Sequence, residues 1–218
     1  MEFSALRNSS LLESKLDSLL STSEPTLEVL FEQPDFLHKL HISQAKLIEY
    51  LSRDTTIGKI LAYISTLGDP NKQTHAECYN YPFYAFSVLS NCHPTITRSL
   101  LTHKHHLDTL FSITSLNGDE YVTCHGYAQG IYKNLLSDGN SLHDDFALIL
   151  ADNYERYLLP YVKNLNRANA EMIAATLTSY QYKLKKLQEN LFRDLIEISL
   201  HKVTKDEQYE EISDNLRK

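Results

Sequence analysis

The segment from Leu12 to Leu51 reads LESKLDSLLSTSEPTLEVLFEQPDFLHKLHISQAKLIEYL. Leucines follow Leu12 at intervals of four and seven residues, as Leu16 and Leu19, which is the spacing of one apolar stripe on a helix. Similar apolar stripes, separated by short polar breaks, continue to the end of the stretch. The stretch therefore predicts a run of short amphipathic helices.

Two prolines divide this run. Pro25 and Pro34 stand where a proline is tolerated in the first turn of a helix, because the amide hydrogens of that turn have no intrahelical partner. We expect two short helices here, at about 25–32 and 34–41.

Two polar residues mark the next helix starts. Ser43 and Asp54 each precede an apolar stripe, and the side-chain oxygen of either can accept a free amide hydrogen as a helix cap. The sequence therefore predicts one helix that begins after Ser43 and another that begins after Asp54. Further helices are expected at about 72–79, 82–91, 94–102, 105–116, 119–137, 141–164, 167–181, 183–203 and 206–216.

The composition supports an all-α fold. The chain has 218 residues, of which 42% are hydrophobic, and only 6 glycines and 6 prolines, too few for the turns of an all-β protein. Many helices joined by short connectors favour stacked helical hairpins. We expect residues 1–218 to form a single domain, an irregular armadillo- or HEAT-like superhelical array, with 206–218 as a frayed tail. A compact helical bundle is the alternative.

Charge and cysteine content restrict the class of protein. The net charge of -7 argues against general affinity for nucleic acid, which requires clustered lysine and arginine. No segment approaches 18 uninterrupted apolar residues, so no membrane span is expected. The three cysteines form no paired framework and the sequence shows no signal peptide, so we expect a protein of the cytoplasm, with the nucleus as a second location.

The histidines do not form a recognisable metal motif. His103, His105 and His106 lie close in sequence, but they lack the Cys-x-x-Cys or His-x-x-x-His spacing by which zinc sites place two ligands on one face. Capping or surface roles are expected for them. No metal site, cofactor site or catalytic residue is predicted.

The order of several short segments resembles the SAPS-domain family. The matching segments are 16–20 (LDSLL), 26–30 (TLEVL), 36–39 (FLHK), 46–51 (KLIEYL), 80–82 (NYP), 86–90 (FSVLS) and 96–100 (ITRSL). Residues 10–137 carry the resemblance. The sequence departs from the family pattern at Asn80, where lysine is usual, and at Ser87, where glutamate is usual.

The resemblance implies a regulatory role. SAPS-domain proteins are regulatory subunits of the type 2A-like Ser/Thr phosphatase called protein phosphatase six, so the expected partner is a phosphatase catalytic subunit. The two-metal motifs of such a phosphatase are absent, since Gly68-Asp69 and Gly118-Asp119 continue as Pro-Asn and Glu-Tyr. The chain is expected to be no enzyme. The alternative is a helical-repeat adaptor for another protein, and the oligomeric state is not predicted.

Two groups of residues suggest where a partner would bind. Six acids against the single base Lys15 lie between residues 11 and 35, which indicates a solvated helix face or a docking surface for a basic partner. A tyrosine cluster around Pro82 indicates core packing or, if exposed, an interface. The residues predicted to contact a partner are Glu28, Glu32, Asp35, Tyr79, Tyr81 and Tyr84.

One further pattern concerns helix packing. Gly126 and Gly130 lie four residues apart in a predicted helix. Such a pair usually allows a second helix to approach closely, and we expect close packing here.

Overall fold

The computed structural model describes residues 15–22, 24–66, 73–116, 121–137, 140–163, 170, 172–174, 176, 185 and 188–198. All regular structure in these ranges is helical, and they contain no strand, so the predicted all-α class is confirmed. Contacts divide the chain into two compact units, Met1–Ile131 and Tyr132–Lys218.

The helices are short, as the polar breaks in the sequence predict. In chain order they are α1 (Lys15–Thr22), α2 (Leu27–Phe31), α3 (Phe36–His41), α4 (Ala45–Leu51), α5 (Asp54–Ser65), α6 (Tyr81–Ser90), α7 (Pro94–Thr102), α8 (Lys104–Ile113), α9 (Val122–Leu135), α10 (His143–Asp152), α11 (Tyr154–Tyr157) and α12 (Leu159–Lys163). A π-helical turn, Ala76–Asn80, leads directly into α6. None of the helices that the structure describes is long and apolar enough to cross a membrane.

The start of α4 differs from the prediction. The cap is Gln44, whose side-chain oxygen accepts a hydrogen bond from the amide of Leu47, and not Ser43. Ser43 instead has a positive φ of 56° and belongs to the turn that ends α3. Short polar side chains are the preferred helix caps, but here the tight turn after α3 includes Ser43, so the capping position falls on the next residue, Gln44.

The start of α5 also differs. Arg53 occupies the capping position, and Asp54 is the first residue inside the helix. Asp54 therefore does not act as the predicted cap. An acid in the first turn still interacts favourably with the positive end of the helix dipole, and its carboxylate remains available for contacts with another helix.

The predicted helix 141–164 is divided into α10, α11 and α12. The first break lies at Asn153, which has φ −119° and ψ 32°, and its side-chain amide donates to the carbonyl of Ile149. The second break precedes Pro160, which has no amide hydrogen to continue the α11 ladder. Two local backbone effects therefore interrupt an otherwise continuous apolar pattern.

An aromatic cluster forms part of the core of the first unit. Phe31 is 1% exposed, and its ring lies 5.1 Å from that of Phe36, 5.5 Å from that of Tyr84 and 6.0 Å from that of Tyr81, between ring centres. These rings join α2 and α3 to α6. Buried aromatic pairs at such separations stabilise a fold beyond the area they bury.

The two glycines of α9 have different surroundings. A Cβ atom at Gly130 would lie 2.9 Å from Cε2 of Phe86, whereas a Cβ atom at Gly126 would meet nothing within 4 Å. The expected close packing is therefore confirmed at Gly130 and wrong at Gly126.

The second unit has its own buried contacts. Tyr132 is fully buried, packs edge to face against Phe146 and shares a hydrogen bond with the hydroxyl of Thr176. Tyr154 donates to the carboxylate of Asp194 at 2.6 Å. The predicted helix 206–216 and the predicted frayed tail 206–218 lie outside the described residues.

Candidate partner-binding groove

A groove of about 350 Å³ opens on the first unit beside α2, α5 and the π-helical turn. We call it the acidic groove; it is lined by Glu28, Lys59, Ala62, Tyr63, Thr66, Gln73 and Glu77. Its volume lies at the lower end of the range of about 300–1,000 Å³ that is common for ligand sites. It is large enough to receive a long side chain from a partner.

Glu28 is held in place by a tyrosine from α5. The hydroxyl of Tyr63 donates to Oε1 of Glu28 at 2.5 Å. Burial opposes ionisation of Glu28, but the hydrogen bonds from Tyr63 and Thr26 and the attraction of Lys59 outweigh it and lower the pKa. Burial and the same contact raise the pKa of Tyr63 far above its ordinary value. Glu28 is therefore a fixed negative charge at neutral pH.

Glu77 supplies the second negative charge of the acidic groove. The amide and the hydroxyl of Thr74 both donate to Oε2 of Glu77, at 2.7 and 2.9 Å, and these bonds lower its pKa. Two carboxylates and one ammonium group, that of Lys59, line the groove. The balance favours a positively charged group from a partner.

A second tyrosine and glutamate pair lies beside the first. The hydroxyl of Tyr81 donates to Oε1 of Glu32 at 2.8 Å, while the ring of Tyr81 lies 5.6 Å from that of Tyr63. Burial, followed by the contact with Glu32, raises the pKa of Tyr81 to about 12. Tyr63 and Tyr81 thus bury their rings in one cluster. Their hydroxyls donate to Glu28 and Glu32, which lie one helical turn apart in and directly after α2.

The structure brings together four of the six residues predicted to contact a partner. Glu28, Glu32, Tyr81 and Tyr84 meet around the aromatic cluster and its edge. Tyr81 is 6% exposed, so its ring is part of the core and only its hydroxyl reaches a surface acid.

The other two predicted residues lie apart from this group. Asp35 precedes α3 and makes no side-chain capping bond. Tyr79 is 55% exposed, and its ring centre lies 4.8 Å from that of His75 in a tilted arrangement. Tyr79 therefore contributes an exposed aromatic surface on the π-helical turn that also carries Glu77.

Other acids of the N-terminal acidic run are used within the fold. Asp17 pairs with Lys39 at 2.7 Å and Glu24 pairs with Arg53 at 3.0 Å. Glu13 lies outside the described residues. The local charge of the sequence is therefore partly neutralised in the structure, and Glu28 and Glu32 are distinguished by the tyrosine hydroxyls that donate to them.

The sequence pattern did not predict that Lys59, Tyr63, Gln73 or Glu77 would line the groove. Tyr63 lies 35 residues from Glu28, and the helical period predicts which face of α5 carries a side chain but not which helix meets that face. The Thr74 and Glu77 pair, with its Thr-x-x-Glu capping spacing, was the one local signal available.

Comparisons with protein-family models, with curated proteins and with solved structures find no match for this chain.

Proposed function

We propose that the chain is a non-enzymatic regulatory subunit that binds a protein partner through the acidic groove. The observation that carries the proposal is the pair of carboxylates, Glu28 and Glu77, fixed by hydroxyl and amide donors around one opening. Acids held in place by the fold lose little conformational entropy on binding, which favours recognition of a basic side chain. The occupant of the groove is a lysine or arginine of the partner.

The partner proposed is the catalytic subunit of a protein-phosphatase-six-type Ser/Thr phosphatase. This choice rests on the resemblance of residues 10–137 to the SAPS-domain family. The proposal includes an irregular armadillo- or HEAT-like array of helical hairpins, and a location in the cytoplasm, with the nucleus second. Binding would direct or modulate the phosphatase rather than perform its chemistry.

The second candidate is a helical-repeat adaptor for a different protein. It is favoured by the absence of a match to any family model, since a specific phosphatase regulator is expected to share sequence with its family. The acidic groove serves either candidate, because its charge selects a basic surface and not a particular enzyme.

Direct assembly of the two purified proteins tests the proposal. The full chain and the phosphatase catalytic subunit are mixed and analysed by sedimentation velocity, with each protein alone as the reference. We expect a saturable complex of one chain with one catalytic subunit. Separate sedimentation of the two proteins at about 10 μM each, where a complex with a Kd of about 1 μM would be mostly formed, would contradict the phosphatase assignment and favour the adaptor.

A further inference from the structure

Four ionisable side chains converge where the start of α5 meets the start of α8. We call them the histidine cluster: Asp54, His103, His105 and His106. Oδ1 of Asp54 lies 2.8 Å from Nε2 of His106, 3.5 Å from Nε2 of His105 and 3.5 Å from Nδ1 of His103. One carboxylate oxygen thus faces three imidazoles that belong to a different helical segment.

From this geometry we propose a Zn²⁺ site that is formed by Asp54, His105 and His106. Potential ligand atoms of the three residues all lie within 4.8 Å of one another. Zinc bonds of about 2.0–2.1 Å place two ligands of a tetrahedral ion about 3.4 Å apart. At 3.5 Å, the separation between Oδ1 of Asp54 and Nε2 of His105 is close to this value, and the 2.8 Å hydrogen bond between Asp54 and His106 must lengthen by about 0.6 Å.

The local fold explains why these groups meet. Asp54 is the first residue of α5 and is not used as a cap, since Arg53 holds that position. His105 and His106 lie in the first turn of α8, immediately after the extended residue His103 that separates α7 from α8. Packing of α5 against α8 therefore places a carboxylate opposite two adjacent histidines.

The burial of the three ligands suits an ion bound at the edge of the protein. The side chain of His106 is 2% exposed, whereas those of Asp54 and His105 are 50% and 64% exposed. The buried ring would anchor the ion, and the exposed groups would leave a fourth position open to water. Three protein ligands with one open position form a common zinc arrangement.

The charge state of the cluster is compatible with a cation. The positive ends of the dipoles of α5 and α8 oppose an arriving cation. The negative charge of the Asp54 carboxylate is needed to offset this effect.

His103 supports the site without serving as a ligand. Its Nδ1, the ring nitrogen nearest Asp54, also lies 3.1 Å from the carbonyl oxygen of Ser99. A proton on Nδ1 that is donated to this carbonyl fixes the orientation of the ring beside the site. Hydrogen bonds of this kind usually orient the groups around a bound metal.

A purely structural role explains less of this geometry. A hydrogen bond between Asp54 and the buried His106 would tie α5 to α8 without any ion. That bond involves only His106, whereas the exposed ring of His105 also approaches the same oxygen and lies 4.0 Å from the ring of His106. A shared cation accounts for the position of both rings.

Zinc titration of the full chain tests the proposal. The protein is treated with EDTA, dialysed and titrated with Zn²⁺ by calorimetry. We expect one ion per chain and an affinity that falls at least about tenfold in His105→Ala and in Asp54→Asn. Both altered side chains are at least half exposed, and His106 is left unchanged to protect the core.

His41→Ala is the matched control, because His41 is an exposed histidine at the end of α3. The zinc affinity of the His41→Ala variant is expected to equal that of the wild type. In a second measurement, Co²⁺ bound to the wild type is expected to give the visible spectrum of a tetrahedral site, and the His105→Ala variant is expected to lack it. Absence of stoichiometric binding would overturn the proposal. Equal affinities of the His105→Ala and His41→Ala variants would overturn it as well.

Discussion

At the residue scale, the two glycines of α9 provide a direct test of the packing in the first unit. Gly130→Ala places a methyl group 2.9 Å from the ring of Phe86, which itself stacks on Tyr127 at 4.9 Å. Relative to Gly126→Ala, we expect the free energy of unfolding to be lower by about 1–3 kcal/mol, as for other overpacked sites. Urea denaturation measures this change.

Gly126→Ala is the control for this substitution. It adds the same methyl group to the same helix where nothing lies within 4 Å. Alanine is the better helix former, so we expect a gain of about 0.5–1 kcal/mol. Equal effects of the two substitutions would contradict the close approach of Phe86 to Gly130.

The hydrogen bond between Tyr63 and Glu28 makes stability depend on pH. Because the folded state lowers the pKa of Glu28, its ionised form stabilises the protein above the ordinary pKa of 4.5. This stabilisation is lost as the pH falls through the lower, folded-state pKa. Tyr63→Phe removes the donor and should destabilise the protein at pH 7 by about 1 kcal/mol, since the pair is only partly buried.

The measurement is urea unfolding of the wild type and of Tyr63→Phe at pH 7 and pH 3. The difference between them is expected to shrink at the lower pH, because a larger share of Glu28 is protonated there. Tyr79→Phe, which removes a hydroxyl from an exposed ring, should leave stability unchanged at both values. A difference between wild type and Tyr63→Phe that is independent of pH would show that Glu28 gains nothing from this hydroxyl.

At the scale of the helix, the start of α4 distinguishes the structure from the sequence prediction. Gln44→Ala removes the side chain that accepts from the amide of Leu47 and also donates to Asp17. We expect a loss of about 1–2 kcal/mol, the upper part of the range for helix caps. Ser43→Ala, at the residue that the sequence favoured as the cap, should change the thermal midpoint very little. A larger loss for Ser43→Ala than for Gln44→Ala would contradict the observed cap.

Helix existence was easier to predict than helix boundaries. The apolar period predicted the stripe that α5 buries, and a helix was predicted where α7 lies, because the helical period follows directly from helix geometry. Boundaries depend on single contacts, such as the turn at Ser43 and the side-chain bond of Asn153 that ends α10. Several side chains could serve as a cap at each of these points, so the pattern alone could not choose between them.

At the scale of the whole molecule, the sites are built from residues that lie far apart in the chain. Asp54 and His106 are separated by 52 residues, and Glu32 and Tyr81 by 49. The sequence indicated acids near Glu28 and a tyrosine cluster near Pro82, but no local rule joins one group to the other. The association of α2 with α6 and of α5 with α8 brings them together, and such contacts between helices are not encoded in the period of either helix.

Electrostatic recognition predicts a specific dependence on salt. A partner that inserts a basic side chain between Glu28 and Glu77 should associate more slowly as ionic strength rises, because the Debye length shortens from about 10 Å at 0.1 M to about 3 Å at 1 M. Stopped-flow association at several NaCl concentrations measures this dependence. A rate that is unchanged by salt would indicate a partner surface without complementary charge.

Calorimetry tests whether the acidic groove binds the partner. Two variants of the full chain are each titrated with the phosphatase catalytic subunit. The groove variant combines Glu28→Gln with Glu77→Lys, which changes the charge of the groove while the glutamine keeps an acceptor for Tyr63. The control variant, Glu155→Lys, reverses the charge of an exposed acid of α11 in the other unit. We predict at least about tenfold weaker binding for the groove variant, since truncating a charge pair at an interface costs about 2 kcal/mol or more. We predict wild-type affinity for Glu155→Lys. Wild-type affinity of the groove variant would contradict the claim.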